Sequence, residues 1–510
     1  MKAKQITAII LSALCAACPL TACGVDTSST ADTSSSKSRR EQAREEEENE
    51  DDDDATTTEA TTTSVAETST TSATKTTAPA TETTAAATVT TTAPPAQPPV
   101  NNVPETGEML SILCWTDYDL KPMIDFFTAE HPEYSGKVQY TNVGYSGSDA
   151  QERYQNYLNG GEDVDLYFTE SGWIRDFSDN DYFSRSILDL GFNKIDFANC
   201  YDYTLQYGRN TNGDLRGVTW QACPGCYCYR TDLAAPYLGV SSPAEMQEKV
   251  KDWDTFTQTA ATVYTQSGGK TAMINSLGGL WQVWQYNRSD AWVNGTSLVT
   301  DEFFTDFENL VNTYHKNKYA TNIEQWYDEW YDVMQTDSVM GEFLCSWCFG
   351  TNGVLSQMEG NPYNSTQLTG ATTGKFNICA GPSAWAWGGY FLMLSPHCDN
   401  GVIAHDFISD FVVNSDTMLR YAQSRANNDF INNKTVNKQL SGITNPLLGG
   451  QSQFAVLDAA ADAVTLPPIT KYDQFAKDAF NEAFYAYRTS RYSSDLIASY
   501  QNKFEAYMNS

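Results

Sequence analysis

The body of the chain shows regular apolar and polar patterns from residue 109 onward. The apolar run 109–114 has the length of a buried strand. The apolar positions that follow have the spacing of one helical face: Leu120, Met123, Ile124 and Phe127. Strand patterns at 137–143 and 164–168 flank a second helical pattern that ends at a glycine pair. This order predicts an α/β fold with a parallel, doubly wound sheet.

The ends of these strands carry carboxylates and aromatic rings, where ligands bind in open α/β sheets. The residues at these positions are Asp117, Tyr118, Tyr145, Glu170 and Trp173. Carboxylates accept hydrogen bonds from hydroxyl groups, and ring faces cover the apolar face of a pyranose. The pattern predicts a site for a polyhydroxylated ligand, although Tyr145 and Trp173 could instead pack in the core or in a lid. No glycine-rich phosphate loop follows the first strand, which disfavours nucleotide binding.

The first 105 residues differ in composition from the rest of the chain. All 12 Trp, 29 Tyr and 23 Phe residues lie after residue 105. An acidic block occupies 45–54, and 19 Thr residues fall within 56–92. Such a segment has too little apolar surface to offset the entropy lost on folding, which predicts a disordered stalk over residues 24–105.

The chain starts with the features of an export signal. Lys2 and Lys4 precede the apolar run 6–17, which is short for a membrane span. The Leu-Thr-Ala-Cys sequence at 20–23 resembles the bacterial lipobox, whose cysteine is acylated and becomes the new N-terminus. We therefore predict a lipoprotein signal peptide over 1–23 and lipidation at Cys23, which would anchor the protein to the extracellular face of the cell membrane. The alternative is an ordinary secretory signal with an incidental cysteine.

Charge and motif content exclude several functional classes. The chain has 64 acidic and 32 basic residues and a net charge of −32, which argues against a nucleic-acid partner. Its four His residues form no H-E-x-x-H motif, and no G-x-S-x-G elbow occurs. We expect no catalytic residue, no cofactor and no metal.

Several segments of the body occur in a recognisable order. They are KPMIDFFTAEHPEY, YQNYLNGGEDVDLYFTESGWIRDFSDNDYFSRSILDLG, GVTWQACPGCYCYRTDLA, GEFLCSWCFG and AGPSAWAWGGYFLMLSP. As an ordered set, spread over roughly residues 109–505, they resemble the family 1 extracellular solute-binding proteins, the oligosaccharide-binding lipoproteins of ABC importers.

The resemblance implies further ligand contacts. Trp347 would stack on a sugar ring, and Trp387, Gly388 and Gly389 would face the cleft. Trp220 would lie in the strand pair at which the family crosses from its first lobe to its second. The cysteine-rich segment beside Trp220 is not part of the family pattern.

The resemblance also implies a two-lobed, periplasmic-binding-protein-like fold of type II. Each lobe would be a mainly parallel sheet flanked by helices, with the ligand cleft between the lobes. The first lobe would comprise 106–221 and 385–428, and the second 222–384 and 429–510. The protein would be a monomer that captures a sugar or oligosaccharide and delivers it to the permease subunits of an ABC transporter, without performing chemistry.

Two other functions are open alternatives. A cell-surface glycoside hydrolase could use carboxylates such as Asp117 and Glu170, because glycosidases need two placed carboxylates. A carbohydrate-binding surface protein without a role in transport would use the same kind of site.

Nine of the 12 cysteines lie in the body, because Cys15, Cys18 and Cys23 belong to the predicted signal. An exported chain can form disulfides, but an odd number leaves at least one free thiol or an intermolecular bridge. C-x-x-C spacing, which also occurs in zinc sites, appears at 223/226 and at 345/348. Structural zinc, disulfides and buried free thiols are therefore all alternatives.

Overall fold

The structure is a computed structural model that describes residues 100–144, 149–362, 367–426, 429–492 and 494–509. The predicted signal peptide with Cys23, most of the predicted stalk, and Tyr145 lie outside these ranges. The described residues form two large sheets and a short hairpin, with helices packed around them. None of the described helices is long and apolar enough to cross a lipid bilayer.

The strands are β1 (Leu110–Cys114), β2 (Val138–Asn142), β3 (Leu166–Glu170), β4 (Gly217–Val218), β5 (Gly225–Arg230), β6 (Ala272–Ile274), β7 (Val293–Asn294), β8 (Ser297–Leu298), β9 (Val339–Cys345), β10 (Phe376–Cys379) and β11 (Tyr390–Leu394). The helices are α1 (Leu120–Glu130), α2 (Asp149–Gly160), α3 (Ile174–Ser178), α4 (Asp202–Gly208), α5 (Thr231–Leu238), α6 (Pro243–Val250), α7 (Trp253–Gln266), α8 (Leu277–Trp284), α9 (Glu302–Lys316), α10 (Asp328–Asp332), α11 (Val354–Met358), α12 (Gly401–Ile408), α13 (Ser415–Ser424), α14 (Lys434–Leu440), α15 (Gln453–Ala463), α16 (Asp473–Thr489) and α17 (Leu496–Asn509).

The first sheet has the strand order β2-β1-β3-β11-β4. β1 pairs in parallel with β2 and with β3, as the sequence predicted, so that Leu110 lies opposite Val138 and Ile112 opposite Leu166. Every residue of β1 and β3 is buried, which explains their apolar runs. β11 pairs antiparallel with β3 and β4 and brings a distant part of the chain into this sheet.

The first helix forms where its apolar spacing predicted. Leu120, Met123 and Phe127 are buried against the sheet, and Asp119 is the residue at the N-terminal cap. The Asp119 side chain makes no capping hydrogen bond, so its carboxylate is available for other contacts.

The second sheet has the order β10-β5-β9-β6 and is more antiparallel than the sequence predicted. β5 pairs antiparallel with both β9 and β10, and only β6 and β9 are parallel. The reason is the path of the chain between the sheets. β5 leads away from one connection to the first sheet and β10 leads back toward the other, so these neighbouring strands run in opposite directions.

The two sheets are joined by two chain segments, 219–224 and 380–389, which we call the crossover segments. They lie against each other, because the Trp387 N–H donates a hydrogen bond to the Cys223 carbonyl at 2.9 Å. A pair of adjacent connections of this kind places any cleft between the sheets directly beside them.

The C-terminal helices extend the packing around the second sheet. Phe480 of α16 stacks on Trp281 of α8, with ring centroids 3.9 Å apart, and also contacts Phe307 of α9. α14, in contrast, reaches the segment before β4, where the Asn437 amide donates to the Tyr201 hydroxyl at 2.9 Å. The boundaries between the lobes stay a prediction.

The end of the predicted stalk is attached to the first sheet and its neighbours. Val103 is buried. The Asn102 N–H donates to the Asp189 carbonyl, and the Thr106 N–H donates to the Asp399 carbonyl, each at 2.7 Å. These contacts extend the packed body to about residue 101.

Candidate functional site

A pocket of about 210 Å³, called the small pocket below, lies beyond the carboxyl end of β1 and beside the start of β11. This is where the parallel strand order predicts a ligand. Its lining consists of Cys114, Trp115, Thr116, Asp119, Leu120, Phe168, Trp220 and Tyr390.

Aromatic rings form most of the wall of the small pocket. Trp115 stands edge-on to Tyr390, with centroids 4.8 Å apart, and contacts Trp173 at 5.5 Å. Trp220 packs against Phe168 at 5.4 Å and against Tyr390 at 5.8 Å. The Trp115 indole N–H is buried and has no hydrogen-bond partner among the described residues. An unsatisfied buried N–H of this kind is unfavourable.

Glu170 ends β3 and lies opposite Tyr390 in the sheet. It is 8% exposed, and burial raises its pKa to about 8, while a hydrogen bond with the Trp173 side chain acts in the opposite direction. At neutral pH the carboxyl group is therefore largely protonated and can donate one hydrogen bond while accepting another. The next residue, Ser171, donates its N–H to the Gly389 carbonyl at 3.1 Å, which ties this strand end to the second crossover segment.

A charged cluster lies beside Asp119, at the edge of the small pocket. The Arg425 guanidinium is 3.8 Å from the Asp119 carboxylate, and its Nε donates to Asp429 at 3.3 Å. Burial and the nearby Asp429 carboxylate raise the pKa of Asp119, whereas Arg425 lowers it. One guanidinium thus serves two carboxyl groups, which leaves acceptor positions for the hydroxyl groups of a ligand.

Three tryptophans, Trp326, Trp347 and Trp387, meet beside the crossover segments and form what we call the tryptophan cluster. The rings of Trp347 and Trp387 have centroids 5.4 Å apart at an angle of 63°, and those of Trp326 and Trp347 are 6.1 Å apart at 16°. The Trp347 indole N–H donates to the Trp387 carbonyl at 3.1 Å. All three residues are half-buried, so part of each ring is accessible.

The backbone of the tryptophan cluster is unusual at two places. Trp326 has a φ of 75°, which is unfavourable for a large side chain and is held by packing against Trp330 at 5.0 Å and Trp387 at 5.5 Å. Gly388 and Gly389 have φ values of 82° and 118°, and at these values a side chain would be strained. The glycines therefore permit the turn from Trp387 into β11.

A larger pocket of about 470 Å³ begins at Ser171, directly after Glu170. Trp173, Tyr207 and Trp292 line it, together with residues from the segment 466–477. Trp173 also contacts Trp115, so the two pockets share a wall. The charged residues of the lining are Arg175, Asp176, Lys471, Asp473 and Lys477. Apolar ring faces with polar groups between them are suited to a ligand that has both hydroxyl groups and apolar C–H faces.

Residues 123–440 match the family of bacterial extracellular solute-binding proteins. The chain belongs to this family. No curated protein matches the sequence. The matched range includes four of the five strands of the first sheet, all except β1, together with the whole second sheet and both crossover segments of this solute-binding protein.

Solved structures share its fold at low sequence identity. A family 1 extracellular solute-binding protein has a TM-score of 0.65 and 16% identity, over 78% of this chain and 98% of that chain. Maltose-bound MalE3 of T. maritima has a TM-score of 0.55 and 17% identity, over 78% of this chain and 99% of that chain. The galacto-N-biose/lacto-N-biose I-binding protein of a Bifidobacterium longum ABC transporter was solved in complex with lacto-N-biose. It has a TM-score of 0.57 and 14% identity, over 79% of this chain and 97% of that chain. These matches confirm the predicted two-lobed α/β fold.

The solute-binding protein brings several predicted site residues together. Trp347 and Trp387 are neighbours in the tryptophan cluster, and the glycine pair after Trp387 connects it to β11. Glu170 and Trp173 are adjacent at the end of β3, where a hydrogen bond joins them. Trp220 is almost completely buried, yet it lines the small pocket.

Two of the predicted residues lie apart from these pockets. The Asp117 carboxylate accepts hydrogen bonds from the Tyr140 hydroxyl at 3.0 Å and the Asn142 amide at 3.4 Å, both on the edge strand β2. Tyr118 is 55% exposed and lies 6.0 Å from the Arg425 guanidinium. The ligand-binding roles of all these residues stay predictions.

Several residues that the structure places at the site have no clear signal in the sequence. In the sequence, Asp119 has the features of a helix cap and Trp115 those of the end of an apolar strand. These structural roles explain both residues, so nothing indicates that they also line a pocket. Arg425 and Tyr390 come from segments more than 200 residues away from β1. Trp326 lies in an irregular segment without periodicity, and no local signal identifies it.

The structure holds the nine body cysteines of this solute-binding protein as buried free thiols. Among the described residues, one group could hold a metal ion: Asp163, Asp165 and Asp399 have ligand atoms within 4.8 Å of one another. Asp165 already accepts hydrogen bonds from the N–H groups of Ser111 and Asp399, so the protein's own donors occupy it. This carboxylate anchors β1.

Proposed function

We propose that this solute-binding protein captures a sugar or oligosaccharide between its two sheets and delivers it to an ABC transporter permease. The observation that carries the proposal is the combination of ring faces and hydrogen-bonding groups around the crossover segments. The tryptophan cluster supplies accessible rings, while Glu170, the Trp115 indole N–H and the Asp119 carboxylate supply polar contacts. Structures of similar fold were solved with maltose, β-1,6-galactobiose and lacto-N-biose.

Each group has a defined task in this proposal. A pyranose presents C–H bonds on its faces and hydroxyl groups around its rim, so rings pack on the faces and carboxyl groups bind the rim. A largely protonated Glu170 can donate to a ring or hydroxyl oxygen and accept from a second hydroxyl group. Closure of the lobes about the paired crossover segments would then exclude water from the bound sugar.

The same proposal includes surface attachment. Cys23 would carry the lipid, and the stalk, from residue 24 to about residue 100, would hold the monomeric binding body away from the membrane. Replacement of Cys23 by Ala should release the protein into the medium or leave it unprocessed. Unchanged membrane fractionation of a variant that is still processed would contradict the anchor.

A thermal-shift screen over mono- and oligosaccharides tests the binding function. A ligand at 100 times its dissociation constant adds about 2.7 kcal/mol to the free energy of unfolding, which raises the melting temperature measurably. Calorimetry on each hit gives affinity and stoichiometry. A flat screen across neutral, acidic and amino sugars would count against the proposal, and the release of new reducing ends from a bound glycan would support the hydrolase alternative.

A further inference from the structure

Two thiols flank Trp347 in the turn that follows β9. The Sγ atoms of Cys345 and Cys348 are 3.8 Å apart, and both thiols are free and buried. A disulfide bond is about 2.0 Å long, so each sulfur atom would have to move by about 0.9 Å. Side-chain rotation together with a small tightening of the turn supplies that movement.

The turn is attached to both crossover segments. The Ser346 N–H donates to the Pro224 carbonyl at 3.0 Å, and the Ser346 hydroxyl donates to the Ala222 carbonyl at 3.0 Å. On the other side, the Trp347 indole N–H donates to the Trp387 carbonyl at 3.1 Å. A change in this turn therefore acts both on a ring of the tryptophan cluster and on the segments about which the lobes would close.

We propose that Cys345 and Cys348 form a reversible disulfide that shifts the turn carrying Trp347 and thereby lowers the affinity of the cleft for its ligand. The effect on affinity rests on the proposed saccharide-binding function, whereas formation of the disulfide does not. The structure shows the reduced state, in which Trp347 packs against Trp326 and Trp387. Oxidation pulls the two ends of the turn together and displaces the indole between them.

The oxidant is a disulfide outside the protein, such as oxidised glutathione. One cysteine thiolate attacks it, forms a mixed disulfide and releases one thiol; the second thiolate then displaces the other thiol. The two cysteine thiols are oxidised to one disulfide, the external disulfide is reduced to two thiols, and the two protons of the cysteines end on those thiols. An exported protein meets such oxidants outside the cytoplasm.

Position distinguishes this pair from the other C-x-x-C sequence. Cys226 lies within β5 and Cys223 in the first crossover segment, so these two cysteines do not share one turn. Cys226 and Cys228 are two positions apart on an extended strand, a geometry that holds side chains apart. Cys345 and Cys348 lie at either end of a tight turn, where closure needs little backbone movement.

Access to the pair depends on the state of the cleft. Both thiols are buried, and burial raises the pKa of the Cys345 thiol, so exchange in the packed state is slow. Opening at the crossover segments exposes the turn. A ligand that keeps the lobes closed should therefore slow oxidation.

Peptide mass spectrometry and titration test the proposal on the exported protein. After treatment with oxidised glutathione and alkylation, the peptide containing both cysteines should lack two hydrogen atoms and resist alkylation. Affinity for a saccharide identified in the screen should fall by about tenfold, which is less than the effect of losing a whole aromatic contact. The affinity should recover when a reductant is added. Cys345→Ser and Cys348→Ser should show no dependence on oxidant, whereas Cys379→Ser, which removes another buried thiol, should keep it.

Three results would overturn the inference. Alkylation of both cysteines after oxidation would exclude the disulfide. A disulfide without any change in affinity would exclude the coupling. Tryptophan fluorescence emission tests the coupling without any ligand. Oxidation should change the emission of the wild type but not that of Trp347→Phe. An equal change in both proteins would also exclude the coupling. If no saccharide binds in either state, the proposed function fails, while mass mapping and emission still decide this inference.

Discussion

Burial, rather than a neighbouring charge, sets the pKa of Glu170 at about 8. A carboxyl group has an ordinary pKa of 4.5 in the unfolded chain, so the folded protein keeps a proton that the unfolded protein releases. Stability at neutral pH is therefore lower because of this residue. The protein tolerates this penalty at the end of β3, and carboxyl groups with pKa values perturbed in this way are common at functional sites.

Glu170→Gln should change how stability depends on pH. Between pH 4.5 and about 8 the native wild type holds more protons than its unfolded state, so this group makes the free energy of unfolding fall as pH rises, by up to about 1.4 kcal/mol per unit. The variant lacks this contribution. Urea unfolding should show that its stability relative to wild type increases from about pH 5 to about pH 8. Glu162→Gln, at an exposed position, is the control, and parallel curves for Glu170→Gln would contradict the argument.

Trp347→Ala should weaken saccharide binding by about 1–3 kcal/mol while the protein stays folded. The matched control is Trp284→Ala. Trp284 is also half-buried and also donates its indole N–H to a backbone carbonyl, that of Phe303 at 3.2 Å, but it packs on α9 away from the cleft. Calorimetry and chemical denaturation should show lost affinity for the first variant and lost stability alone for the second. Normal binding by folded Trp347→Ala and Trp387→Ala would disprove the cleft assignment.

At the scale of elements, the first crossover segment leads into β5 at a glycine that has no room for a side chain. A Cβ atom at Gly225 would lie 1.9 Å from the ring of Trp385, whose carbonyl accepts the Gly225 N–H at 2.7 Å. The ring of a buried tryptophan cannot move aside easily. Close contact between the two crossover segments therefore requires glycine here.

Gly225→Ala should lower the free energy of unfolding by about 1–3 kcal/mol or more, because overpacking displaces Trp385. Gly442→Ala is the control, since a Cβ there meets no atom within 4 Å. The melting temperatures of the two variants provide the comparison. Equal melting temperatures would show that the crossover segments can separate without a loss of stability.

Elements with local patterns could be predicted from the sequence, and those with distant partners could not. α1 was predicted because burial on one face leaves a helical period, and β1 and β3 because full burial leaves short apolar strand patterns within a few residues. The antiparallel insertion of β11 beside β3 and the mixed second sheet depend on pairing between distant segments, which no local pattern records. The site followed the same rule: Glu170 and Trp173 came from strand ends and Trp347 and Trp387 from resemblance, whereas Trp326 and Arg425 had no signal.

At the scale of the whole molecule, the attachment of residues 101–106 determines where the folded body starts. A chain beginning at residue 98 should keep the melting temperature of the full-length protein. A chain beginning at residue 108 loses the burial of Val103 and the hydrogen bonds to Asp189 and Asp399, and should lose about 2 kcal/mol in urea unfolding. Equal stability of the two shortened chains would mean that these contacts contribute nothing. A lower melting temperature for the chain that begins at residue 98 would mean that the stalk itself packs on the body.

The insertion of β11 between β3 and β4 also determines an order of events during synthesis of the chain. The second sheet is built from one continuous stretch, 225–379, and needs no strand from elsewhere in the chain. The first sheet cannot be completed until residues 390–394 arrive, although its other strands emerged much earlier. Until then β3 has an unpaired edge, which is open to pairing with another chain. The first sheet is thus completed only after every strand of the second sheet is available, although its own first strands precede them in the chain.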